Sequence, residues 1–141
     1  MSRADLPPSQ FDWRARVYWE DTDGGGVVYH SNYLRYFERA RTEWLRSKGY
    51  EQRQLQLSLR LVFAVYAMQL EFLKPARLDD EVLMELRCEE LRRASFAVSQ
   101  RMLDVRSAAE ICRARVEIAC LDADAFRPIP IPHDLWQDLK S

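Results

Sequence analysis

Apolar and polar residues alternate along this chain with two different periods, and each change of period marks an element. From Phe11 to Glu20, Trp13, Ala15, Val17 and Trp19 fall on one face and Arg14, Arg16, Tyr18 and Glu20 on the other. That period of two predicts a strand with one drier face. From Ser31 to Lys48 the period lengthens: Tyr33, Phe37, Ala40 and Trp44 recur, with Leu34 and Leu45 widening the stripe. Arg35, Arg39, Thr42, Glu43 and Arg46 lie on the other side. This predicts a long amphipathic helix whose aromatic stripe packs into a core. Gly49 follows where a left-handed C-terminal residue is wanted.

The second half returns to the strand period. Glu51 to Leu59 reads as a loop or short helix capping its neighbours. Leu61 to Leu73 is a mostly apolar run rich in β-preferring residues, which predicts a central strand buried on much of both faces. Lys74-Pro75-Ala76-Arg77 ends it, since proline cannot donate to a ladder. Val82, Met84, Leu86 and Cys88 alternate with Leu83, Glu85, Arg87 and Glu89 in a half-exposed strand. Arg92-Arg93-Ala94 turns the chain into a strand from Ser95 to Leu103. Asp104 to Ala109 is a polar connection to a last strand, Glu110 to Leu121. Pro128, Pro130 and Pro132 impose an extended segment, and His133 to Lys140 reads as a short helix. Residues 1–10, with two prolines, form a loose lead-in, and a single domain occupies residues 11–141.

One strand, one long helix and four more strands joined by short turns imply an antiparallel sheet curved around the helix, in the α+β class. A single sheet leaves free edges, which favours pairing with a second copy.

Composition narrows the function classes. The 141 residues are 48% hydrophobic and 30% charged, as in an ordinary globular domain. The net charge of −1 gives no global pull toward nucleic acid. Cys88, Cys112 and Cys120 match no zinc spacing and lie in alternating apolar runs, so they read as reduced, buried small residues. The apolar run Leu61 to Leu70 is far short of the roughly 20 residues that span a membrane. A cytoplasmic protein without metal or disulfide is the default expectation.

The chemistry concentrates in one connection, Glu20 to Tyr33, which holds Asp21, Asp23, His30 and three of the chain's four glycines. A calcium loop fails, because the twelfth position from Asp21 is Asn32 rather than a bidentate glutamate. A phosphate loop fails, because no Gly-Lys-Ser/Thr follows the glycines. Nothing resembles a nucleophile elbow. A carboxylate facing a helix start is different. Asp23 could attack an acyl carbon or activate a water, while the free N–H groups near His30 to Tyr33 polarise the carbonyl. The structural alternative is that Asp21 and Asp23 cap the turn and the helix. Asp21 fits that alternative; Asp23 fits both.

The run from Tyr18 to Leu34, Tyr-Trp-Glu-Asp-Thr-Asp-Gly-Gly-Gly-Val-Val-Tyr-His-Ser-Asn-Tyr-Leu, closely resembles the signature of the hotdog-fold acyl-CoA thioesterases. It is most similar to the Tol-Pal-associated branch of the 4-hydroxybenzoyl-CoA thioesterase family. The helix from Phe37 to Leu45, the segment Lys74 to Asp80 and the Arg92 to Phe96 turn look like matching segments. The resemblance implies a hotdog fold, a curved sheet wrapped around one long helix. It also implies hydrolysis of an acyl-CoA to free acid and coenzyme A with no cofactor. Asp23 matches the catalytic aspartate. His30 stands at the helix start, its backbone N–H aimed at the thioester carbonyl and its ring orienting water or substrate. Gly24, Trp19 and Ser31 depart from the common residues, which bears on loop rigidity and pocket shape. Tyr29, Leu57 and Phe63 are candidates for setting pocket depth. Coenzyme A carries phosphates, for which Lys74, Arg92 and Arg93 are candidate partners, each also readable as an ordinary solvated turn charge. The resemblance implies dimers that stack into tetramers. Two other readings remain: a non-catalytic module binding acyl-CoA or an acyl carrier protein for cell-envelope or lipid-synthesis partners, and a hotdog dehydratase, which the Asp-x-Asp loop disfavours.

Overall fold

The structure is a computed structural model that describes residues 9–141. Its five strands are β1 (Phe11–Arg16), β2 (Leu61–Phe72), β3 (Glu81–Leu91), β4 (Ser95–Asp104) and β5 (Glu110–Asp122). They form one antiparallel sheet in the order β1-β3-β4-β5-β2. Helix α1 (Asn32–Ser47) covers one face, α2 (Gln52–Ser58) leads into β2, and α3 (His133–Lys140) follows the proline segment. The lead-in expectation falls mostly outside the described residues. Gln10 is already tied to β3, its N–H donating to the Leu86 carbonyl at 2.8 Å.

Periodicity explains why these elements form. Tyr33, Phe37, Ala40 and Trp44 are all buried against the sheet, as is Tyr36, one residue off that stripe. They meet the inward residues of alternate strand positions: Met84 and Leu86 on β3, Phe96, Val98 and Met102 on β4, Val116 and Ile118 on β5. Phe96 packs edge-on against Phe63, ring centres 5.3 Å apart, and tilted against Trp44 at 6.0 Å. Register irregularities at Val65/Ala67, Cys88/Glu90 and Met102/Leu103 break the ladders, as bulges that bend strands around a helix do. Gly49 adopts φ 92°, ending α1 as its position predicted. The thiols of Cys112 and Cys120 are buried and free, and burial raises their pKa values to about 12 and about 11.

Two expectations are corrected. β2 is an edge strand rather than a central one, and Val65, Tyr66 and Phe72 along it are exposed. Its apolar run reflects a sheet edge that α1 only partly covers, which periodicity does not separate from a strand buried on both faces. The first strand ends at Arg16, and Trp19 is 65% exposed rather than on the drier face. A single 3-10 turn, Trp19–Asp21, interrupts the alternation there. It is held by the Asp21 carboxylate, which accepts the Tyr18 N–H at 2.9 Å.

Candidate active site

The glycine loop lies between the end of β1, the β2–β3 connection and the start of α1. Asp21 anchors it. Its carboxylate accepts the Tyr36 hydroxyl at 2.5 Å as well as the Tyr18 N–H, and its carbonyl accepts from the Tyr29 N–H and the Asn32 side chain. Burial, reinforced by this carboxylate, raises the Tyr36 pKa strongly. The loop is then stitched to the β2–β3 connection: Val28 N–H donates to the Ala76 carbonyl and Leu78 N–H to that of Gly26.

Between these anchors the chain makes a tight reversal, with Asp23 N–H donating to the Val27 carbonyl at 3.0 Å. Gly24 and Gly26 take φ values of 91° and 86°, the left-handed region that L side chains rarely adopt. Gly25 donates its N–H to Asp23 Oδ1 at 2.7 Å, and a Cβ there would stand only 3.2 Å from that oxygen. The glycines thus shape the turn and hold Asp23. That carboxylate is exposed, with one oxygen fixed by the loop.

Asp23 lines a cleft of about 340 Å³ with Tyr29, His30, Tyr33, Phe72 and Lys74. The His30 ring stacks at a tilt on Phe72, centres 5.2 Å apart, and lies 6.0 Å from that of Tyr29. Tyr33 forms the floor, its buried hydroxyl accepting the Ala76 N–H at 3.0 Å, and burial raises its pKa. At the helix start, Ser31 occupies the N-cap position but makes no side-chain capping bond, and the first turn holds no acid. No acceptor among the described residues takes the backbone N–H of His30 or of Ser31. A helix start left bare in this way carries unmatched donors and the positive end of the helix dipole. A carboxylate and such donors around one cleft can polarise a carbonyl and deliver an oxygen nucleophile to its carbon.

Asp23, Tyr29, His30 and Lys74 therefore share one cleft, and Ser31 flanks it at the helix start. Arg92 and Arg93 do not join them. They form the β3–β4 turn beside Ser95, which pairs across β5 to Ala64, whereas the cleft lies at the Phe72 end of β2. Arg92 is also engaged with Glu90 and Glu117. Sequence reasoning missed Phe72 and Leu73 as cleft walls because they read as strand, and Tyr33 because it reads as core. Leu57 sits exposed on α2, and Phe63 lines a different cleft. A recess of about 290 Å³ on the outer sheet face is edged by arginines and glutamates in ion pairs such as Arg101–Glu85 and Arg115–Glu90. Among the described residues, no group of three or more His, Cys, Asp or Glu side chains is placed to hold a metal ion. No helix among them is long and apolar enough to cross a membrane.

The architecture is the hotdog fold. The model of the thioesterase-like superfamily matches residues 17–139, and the chain belongs to that superfamily. It is 38% identical over 125 residues to the acyl-CoA thioesterase YbgC of Haemophilus influenzae, covering 89% of this chain and 90% of that protein. It is 37% identical over 130 residues to the acyl-CoA thioester hydrolase YbgC of Escherichia coli, covering 92% and 96%. Among solved structures it resembles a probable thioesterase from Bartonella henselae, with a TM-score of 0.81 and 36% identity over 86% of this chain and 98% of that one.

Proposed function

We propose that this chain hydrolyses acyl-CoA thioesters to a free acid and coenzyme A. The observation that carries the proposal is the cleft in which the exposed Asp23 carboxylate lies with the uncapped start of α1. In this reading the thioester carbonyl oxygen takes the N–H groups of His30 and Ser31. Asp23 attacks the carbon or activates a water, and the thiolate leaves without an acid to protonate it. Tyr29, the His30 ring and Phe72 wall the thioester, and Lys74 stands at the rim for a phosphate of coenzyme A. The resemblance of the Tyr18 to Leu34 motif supports assignment to the Tol-Pal-associated branch, and with it we infer a cytoplasmic site of action.

A second copy completes the arrangement. The free edge of β2 is twelve residues long and carries exposed Val65, Tyr66 and Phe72, the kind of edge that pairs with another chain. Two-fold antiparallel pairing there sets the Phe72 end of one copy against the Leu61 end of the other. Arg92 and Arg93, remote from Asp23 in their own chain, then lie at the Asp23 end of the neighbour. We expect a dimer or a tetramer built from dimers, and a monomeric mass by light scattering at micromolar concentration would contradict it.

Thiol release from an acyl-CoA panel, acetyl to palmitoyl with benzoyl derivatives, tests the activity. Turnover of at least one member is expected. Tight binding of acyl-CoA with no thiol release would instead mark a module that binds acyl-CoA or an acyl carrier protein.

A further inference from the structure

A second cleft, of about 150 Å³, opens beside β2 at the end away from Asp23, between α1, α2 and the sheet. Its walls are mostly apolar, including Trp44, Phe63, Val65 and Phe96, with Glu38, Arg41 and Gln52 as the polar members. A cavity of about this size holds one benzene ring or a short alkyl chain. The Gln52 amide is spent on the Thr42 hydroxyl, which leaves Arg41 and the Trp44 indole as the donors of interest. Arg41 stands on the core side of α1, and its one hydrogen bond to a described residue is from Nη1 to the neutral Gln100 side chain at 3.0 Å. No carboxylate of a described residue lies within ion-pair distance of it. Burial lowers the Arg41 pKa, against the opposing pull of the nearby Glu38 carboxylate. Trp44 is 1% exposed, and its indole N–H finds no acceptor among the described residues. Glu38 at the rim is turned to Thr42, whose hydroxyl donates to it at 3.0 Å. The cleft therefore offers a forked cation, bonded through one nitrogen to the neutral Gln100 side chain, beside a buried indole N–H that has no acceptor among the described residues. A short apolar chain ending in a carboxylate supplies what is missing, because a guanidinium binds a carboxylate through two parallel bonds.

We propose that this cleft receives the far end of the substrate's acyl group and that this end is a carboxylate held by Arg41 and the Trp44 indole. The preferred substrates are then CoA thioesters of short dicarboxylic acids. This rests on the thioesterase reading and on pairing through β2, which sets the Asp23 cleft of one copy beside this cleft of the other.

The test compares adipoyl-CoA with hexanoyl-CoA, equal in carbon number and differing by a carboxylate in place of a methyl. Thiol release gives kcat/KM for each. Calorimetry with the full-length chain gives the affinities of the two non-hydrolysable thioethers, S-(5-carboxypentyl)-CoA and S-hexyl-CoA. The carboxylate member should be favoured at least tenfold in both assays. Arg41→Met should bring the ratio to about one, Arg41→Lys should restore part of it, and Trp44→Phe should lower it about threefold. Should the Arg41 variants fail to fold, the wild-type and Trp44→Phe ratios still decide. Hydrolysis of both esters with a ratio near one would overturn the cleft assignment and leave the thioesterase reading intact. A tenfold binding preference with no hydrolysis would do the reverse. A preference that survives Arg41→Met would also overturn the assignment.

Discussion

Asp21 and Asp23 stand two positions apart in one loop, and the fold treats them in opposite ways. Asp21 is 6% exposed, accepts a buried tyrosine hydroxyl and a backbone N–H, and ties the end of β1 to α1. Asp23 is exposed, held by one bond from a glycine next but one in the chain, and faces a cleft. An acid whose oxygens are engaged inside the protein stabilises a shape and has little left to offer a substrate. An acid held by a short local loop keeps its position and its reactivity. The glycines make that second arrangement available. Their role is turn geometry and carboxylate placement.

This contrast can be broken experimentally, and the largest effect is expected at Asp23. Asp23→Asn should lower acyl-CoA turnover by roughly 10²–10⁴, the range for loss of a positioned acid or base. Its unfolding free energy should stay within about 0.5 kcal/mol of wild type. Asp21→Ala should do the converse to stability. It leaves the Tyr36 hydroxyl and the Tyr18 N–H without their acceptor, at a cost of about 3 kcal/mol in urea unfolding. A mild Asp21→Ala alongside an unstable Asp23→Asn would erase the distinction between the two acids.

Gly26→Ala probes the turn alone, since no atom lies within 4 Å of an added Cβ and only the φ of 86° resists it. It should cost about 1 kcal/mol by the same unfolding measurement. Wild-type stability in that variant would show the loop to be slack. The smallest effect belongs to the thiols. Burial raises the pKa of Cys88 to about 11, as it raises those of Cys112 and Cys120, so little thiolate exists at neutral pH. Labelling of the native protein with a thiol reagent at pH 7.5 should be slow and should speed up on unfolding. Rapid labelling that removes activity would bring a cysteine into the chemistry.

Much of the fold was legible in the sequence because burial on one side imposes a period. α1 and the strands β3, β4 and β5 fall where the spacing of Tyr33, Phe37, Ala40 and Trp44 and the alternations around Met84, Val98 and Val116 put them. The edge position of β2 was not legible, because exposed Val65, Tyr66 and Phe72 spell the same run as a buried strand. The loop announced itself through Asp23 and the glycines. The uncapped start of α1 did not, since Ser31 is a good capping residue by type and makes no such bond here. The location of Arg92 and Arg93 was equally hidden, because which end of a sheet a turn occupies depends on strand order and not on the turn's own residues.

The central claim is that a thioester carbonyl sits at the bare start of α1, opposite Asp23. The most direct measurement follows the backbone amide resonances of the protein as it binds a carba(dethia) acyl-CoA, a ketone analogue that keeps the carbonyl and cannot be hydrolysed. The largest shifts should fall on the amides of His30 and Ser31. Saturable binding that leaves those two amides unmoved would contradict the account.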